Sequence, residues 1–282
     1  MFRNYYHYFI AGLPEIFLDD TEIQFQMLDF KHELKEHLSP EDYKLVELLF
    51  LPYDNQKLLQ FLDEDYENQI KLGNFSFEDF ELEFSDEKQG ILPSYMYEFV
   101  EIFKDEERSK SVVKSWENLL TEMFYDYVLR TKNKFLKQWF VFNQNLNNIL
   151  IGLNCRQYKL DTEKQLIGEN DISRSIAKSN AKDFGLNVDF PEVTEILMQA
   201  EKENLMAREK GLDQIKWDKV EEITLFDYFT IEVVLAYTIK LDIAYRWLEL
   251  DEENGREMFR KIIDHLKSGF EFPKEFEINR KK

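Results

Sequence analysis

Apolar side chains recur along most of the chain at steps of three and four. After the Asp19-Asp20-Thr21 cluster, whose oxygens suit a helix N-cap, Ile23, Met27, Phe30, Leu34 and Leu38 fall on one face, the pattern of an amphipathic helix. Ser39 as N-cap and Pro40 at the first position then open a second helix through about Phe50, because proline fits where the amide has no helical partner anyway. Leu51-Pro52 is expected to end that helix and Asp54 to cap a third, with Leu58, Leu59 and Leu62 on its apolar face. Two places break the period. Tyr5 to Ile10 is aromatic and β-branched and predicts a strand or a buried extended arm, stopped by Gly12 and Pro14. Residues 75–84 alternate through Phe75, Phe77, Phe80, Leu82 and Phe84 and predict irregular chain or a short hairpin.

Pro93-Ser94 opens a helix to about Asp105, and a long helical run extends from Ser111 to about Lys159, with room for one break. Its stripe of Phe124, Val128, Phe135, Trp139, Phe142, Leu146, Ile149 and Leu153 is narrow, as in a coiled-coil seam. Further helices are predicted over about 172–182, 192–208, 213–222, 227–250 and 252–266. The expected fold is mainly α: a single elongated domain over residues 1–282, a bundle of long antiparallel helices with at most a short N-terminal strand or hairpin.

Composition supports an ordered core, with 25 Phe, 14 Tyr and 4 Trp against 9 Gly and 6 Pro in 282 residues. Charge divides the chain. Residues 1–107 hold 26 acidic and 8 basic side chains, residues 108–282 hold 30 and 28, and the total is −20. The expected sub-units are therefore an acidic part, 1–107, and a long-helix part, 108–282. Such a field repels nucleic acid and anionic lipid head groups and favours basic partners, although solubility is the commoner reason for it. The single Cys155 cannot form an internal disulfide, and the start of the chain lacks a secretory pattern, which together point to a reducing cytoplasm. The most apolar run, Tyr228 to Ala244, contains Glu232, Lys240 and Asp242, so no direct membrane span is expected.

Catalytic signatures are missing from the sequence. It contains no glycine-rich phosphate loop, no GxGxxG, no GxSxG elbow and no paired cysteines. His32-Glu33-Leu34-Lys35-Glu36-His37 is near a zinc motif, but five residues separate the imidazoles by about 500° of helical rotation, on different faces. Asp19-Asp20 reads as a cap, Asp63-Glu64-Asp65 as a solvated turn and Cys155 as a small core residue. No catalytic residue, cofactor or metal is expected, and the chain reads as a non-enzyme.

The segment from Tyr127 to Leu160 reverses the charge. It holds Arg130, Lys132, Lys134, Lys137, Arg156 and Lys159 and no acid, together with Asn143, Gln144, Asn145, Asn147, Asn148 and Asn154. Asparagine is a poor helix former, so interhelical or partner hydrogen bonding is expected to hold these amides there. Asn-Gln-x-Leu with a final Leu occurs at 55–62 and again at 143–150, a pointer to repeated helical units.

The string Phe142-Asn143-Gln144-Asn145-Leu146-Asn147-Asn148-Ile149-Leu150, followed by Arg156, resembles the Asp-x-x-Asn-Leu-x-x-x-Leu-Arg helix of the C (or d) subunit of V-type and archaeal-type rotary ATPases. Phe142 replaces the usual Asp, and Gly152 and Asn154 lengthen the spacing to the arginine. Glu232, Tyr237, Lys240, Ile243 and Arg246, followed by Gly255, are similar to that family's closing helix. The start, Tyr5-Tyr6 with Gly12-Leu13-Pro14-Glu15-Ile16 and Leu18-Asp19-Asp20, resembles an uncharacterised bacterial family encoded among V-type ATPase subunits. The resemblance implies an all-helical funnel of repeated units, a non-catalytic rotor subunit that seats the central stalk on the proteolipid ring. It implies a location peripheral to the inner membrane, with the other ATPase subunits as partners and no nucleic acid. Arg130, Lys134, Lys137, Asn145, Asn148 and Arg156 would then lie on or near a polar wall facing the stalk. The alternative expectation is a helical adaptor of another cytoplasmic assembly.

Overall fold

The computed structural model describes residues 4–20, 23, 26–65 and 70–249. Among them are thirteen helices and no strand. In chain order these are α1 (His7–Gly12), α2 (Met27–His37), α3 (Pro40–Leu62), α4 (Phe77–Glu83), α5 (Ser94–Lys104), α6 (Glu106–Ser111), α7 (Trp116–Val128), α8 (Lys134–Tyr158), α9 (Thr162–Gln165), α10 (Asp171–Lys178), α11 (Val193–Ala200), α12 (Leu205–Thr224) and α13 (Ile231–Glu249). The mainly α bundle read from the sequence is the fold found.

Three helical hairpins, α2/α3, α7/α8 and α12/α13, form its frame. The second helix of each packs on the first helix of the next: α3 on α7, α8 on α12, and α13 back on α2. The three hairpins therefore close a ring. Local chemistry sets their starts, because Ser39, Ser115, Asn133 and Asn204 each accept a backbone N–H of the first turn of α3, α7, α8 and α12.

The first two units repeat at a spacing of 94 residues. N-caps Ser39 and Asn133, helix starts Pro40 and Lys134, N-caps Ser76 and Asn170, and helix starts Phe77 and Asp171 all correspond at that interval. Ser76 and Asn170 each open their helix with a reciprocal capping box. The fifteenth residue of each long helix does the same task in both units. Asp54 Oδ1 accepts the N–H groups of Asn74 (2.7 Å) and Phe75 (3.0 Å). Asn148 accepts the N–H of Ile167 (2.8 Å) and donates to its carbonyl (2.9 Å). Both residues are fully buried, and each latches the returning chain onto its hairpin. Beside each latch the backbone turns through a glycine of positive φ, Gly73 (123°) and Gly168 (70°). The Asn-Gln-x-Leu strings pair Asn55 with Asn143 instead, 88 residues apart, so they are out of register with this repeat.

Several expected elements differ. Residues 7–12 are helical, not extended, with Phe9 stacked on His37 (5.1 Å) and Phe30 (6.3 Å). Pro52 sits inside α3 rather than ending a helix. Packing of the buried Leu51, the Tyr53 hydrogen bond to Asp242 and the Asp54 latch hold that stretch on both sides and outweigh the lost amide. Residues 77–83 form α4 because the Ser76–Asp79 box starts a helix across the apparent alternation, with Phe77 and Phe80 turned inward. The long run from Ser111 divides at 129–133 into α7 and α8, and the segment 192–222 divides into α11 and α12, the latter beginning at Leu205. The helix expected over 252–266 lies outside the described residues. One apolar cluster, from Ile16 to Ala244, joins all three hairpins.

Candidate functional site

All three hairpin turns lie at one end of the ring. Tyr6 ties them together: its N–H donates to the carbonyl of Phe229 (2.7 Å) in the α12/α13 turn, and its hydroxyl donates to Asp42 Oδ2 (2.5 Å) at the start of α3. Asn4 also donates to Asp42 (2.9 Å). Asn133, in the α7/α8 turn, donates to Glu232 Oε1 (3.1 Å) in the first turn of α13. Helix α1 and the turns 38–39, 129–133 and 225–230 thus share one face.

Two groups of exposed side chains mark it. Tyr8, Phe226, Tyr228, Leu225 and Tyr5 are 97%, 86%, 68%, 64% and 60% exposed. The ring of His7 lies 4.5 Å from that of Phe229 and 5.7 Å from that of Tyr5, which joins the α1 aromatics to the turn. Beside them, Arg130, Lys132, Lys134 and Lys137 are exposed. No ion pair joins any of these four cations to another described residue within 4 Å.

A cavity of about 270 Å³ lies among the hairpins, lined by residues of all six of their helices. Its polar wall contains two carboxylates. Asp242 accepts the Tyr53 hydroxyl (2.5 Å), and burial pushes its carboxyl up despite that bond and the charges of Arg246 and Lys216. Asp213 meets Lys216 (3.1 Å), Arg246 and the indole N–H of Trp247 (2.9 Å). Asn147 completes the lining by donating to Tyr125 (3.2 Å). Among the described residues no group of three His, Cys, Asp or Glu side chains is placed to hold a metal ion.

The six residues expected on a polar wall separate into two sets. Arg130, Lys134 and Lys137 are on the exposed turn face. Asn145 and Asn148 fall inside the molecule, 6% and 0% exposed, where Asn145 accepts from Asn170 (3.0 Å) and Asn148 holds Ile167. Gln144, Asn145, Asn147 and Asn148 therefore bond to other segments of the chain, whereas Asn143 donates to the Trp139 carbonyl of its own helix (3.3 Å). Arg156 is exposed, yet its guanidinium lies 3.7 Å from the Phe184 ring centroid and donates to the carbonyls of Ser179 (2.7 Å) and Ala181 (2.7 Å). It braces the chain after α10. The exposed aromatics at 225–229 were not foreseen from the sequence. Their signal was Leu225, Phe226, Tyr228 and Phe229 crowded into a link between two helices, where polar turn residues are usual.

No helix of the described residues is long and apolar enough to cross a membrane. A search of curated proteins found no match, nor did a search of solved structures. A family model described as "Protein of unknown function (DUF2764)" matches residues 2–270. The chain belongs to that family.

Proposed function

We propose that this chain is a non-catalytic rotor subunit of a V-type ATPase, seating the central stalk on the membrane proteolipid ring and coupling ATP turnover to ion transport. The observation that carries the reading is the closed ring of three helical hairpins. A ring of repeated helical units is what the sequence resemblance implies, and α8, which bears the Asn-Gln-Asn-Leu-Asn-Asn string, is one of its six frame helices. The ring also suits the task. A close-packed interior transmits strain with little compliance, and buried latches at Asp54 and Asn148 tie each long helix to the chain that follows it.

The test is coupling in membrane vesicles from cells with and without the chain. ATP hydrolysis by the head should persist without it while hydrolysis-driven ion uptake stops, and wild-type chain should restore uptake. Uptake that is unchanged without the chain would leave a helical adaptor of another assembly as the better reading.

A further inference from the structure

Among the described residues, the turn face brings exposed aromatic side chains beside a cluster of exposed cations. Tyr5, Tyr8, Leu225, Phe226 and Tyr228 are each at least 60% exposed, and they stand on turns and a short helix rather than lining a groove. Tyrosine and phenylalanine at such tips suit an interface with one apolar and one wet side. The neighbouring turn carries four cations, Arg130, Lys132, Lys134 and Lys137, in a chain of net −20. Several carboxylates of the same end are engaged by neighbours, while Glu36 and Glu41, on either side of the α2/α3 turn, are exposed. Asp42 accepts from Tyr6 and Asn4, Glu232 accepts from Asn133, and Glu222 is paired with Lys219 (2.9 Å). Asp227 is half-buried, and Asp126 is exposed beside Arg130.

We infer that this face docks on an anionic lipid surface, with the aromatic tips entering the head-group region and the lysines meeting lipid phosphates. Charge complementarity selects this occupant: the chain as a whole is repelled by anionic head groups, and the α7/α8 turn gathers four exposed cations, of which Arg130 alone has an acid, Asp126, beside it. Lipid contact of this kind combines buried apolar area with an electrostatic contribution from each basic side chain close to the surface. It orients the molecule end-on, with the acidic flanks away from the membrane. The inference goes beyond the rotary reading and does not depend on it, because it is tested with the chain alone.

The experiment is vesicle flotation of the full chain with phosphatidylglycerol mixed into phosphatidylcholine, against phosphatidylcholine alone. Binding is expected with the anionic vesicles only and should weaken as salt rises. The pair Phe226→Ser with Tyr228→Ser and the triple Lys132→Glu, Lys134→Glu, Lys137→Glu should each lower the partition coefficient by at least about tenfold. Lys178→Glu with Lys202→Glu, at the ends of α10 and α11, should leave it unchanged. All these sites are exposed, and circular dichroism checks that each variant folds. Failure of the wild-type chain to bind anionic vesicles would overturn the inference, as would equal losses in the control pair. So would a chain that ignores lipid yet binds an acidic protein through this face.

Discussion

At the scale of single residues, the molecule depends on buried polar side chains, Asp54 and Asn148 foremost. Asn148 bonds both backbone groups of Ile167, so Asn148→Ala should leave the buried N–H without a partner and the C=O with only the bond from Gln144 (3.3 Å). The expected cost is roughly 1–3 kcal/mol, seen as a clear drop in melting temperature; a shift within error would contradict the latch. The other latch carries charge. Burial pushes Asp54 up to about 6 and Lys31 down from 10.5 to about 8, while Lys31 donates to Gly73 and Asn74 (3.0 Å). Between about pH 8 and 10.5 the unfolded chain keeps the Lys31 proton that the folded chain has released, so this group makes stability rise with pH across that window. The stability advantage of the wild type over Lys31→Met should therefore grow from pH 8 to 10, measured by denaturant unfolding at each pH. A constant difference would count against it. The need for buried bonding was legible in the sequence, since asparagine-rich helices require a reason. The direction was not, because composition does not say whether an amide faces its own chain or a partner.

At the scale of elements, caps decide where helices begin, and packing decides whether they continue. Asn133 both caps α8 through Leu136 (3.0 Å) and holds Glu232 at the start of α13. Asn133→Ala should cost about 1–2 kcal/mol, whereas Asn204→Ala, whose side chain caps α12 by accepting the N–H of Ala207 (3.0 Å), should cost about 1 kcal/mol. Thermal melts of the two variants test the ranking. Ser39-Pro40 and Pro93-Ser94 were readable as helix starts because their chemistry is local. Pro52 misled because its cost is offset by Tyr53 and Asp54 reaching residues far along the chain, Asp242 and Asn74. Residues 75–84 misled in the other direction: the alternation of aromatics was plain, but Ser76 and Asp79, three apart, form the capping box that outweighs it. The repeat itself is written in roles rather than identities, Ser39 with Asn133 and Asp54 with Asn148, and a comparison of strings finds a different register.

At the scale of the whole molecule, the ring explains why one end gathers the features a partner would read. Hairpin turns must emerge somewhere, and here all three emerge together, joined by Tyr6 and Asn133. The exposed charge of Arg130, Lys134 and Lys137 was legible as a local reversal in an acidic chain. Its alignment with aromatics almost a hundred residues away in sequence was not, since that depends on closure of the ring. Charge reversal at Arg130 and Lys137 together should leave the melting temperature within about 1 °C, because solvent-exposed charges, even beside an exposed acid such as Asp126, contribute little to stability. The same change should weaken retention of the chain in its assembly, a separation that a merely structural pair of residues would not give.

The most direct measurement is purification in gentle detergent through a tag on this chain, followed by identification of the proteins that accompany it. The account predicts the catalytic head, the central stalk and the proteolipid ring in constant proportion. Recovery of the chain without them, while the ATPase purifies intact and coupled in its absence, would contradict it.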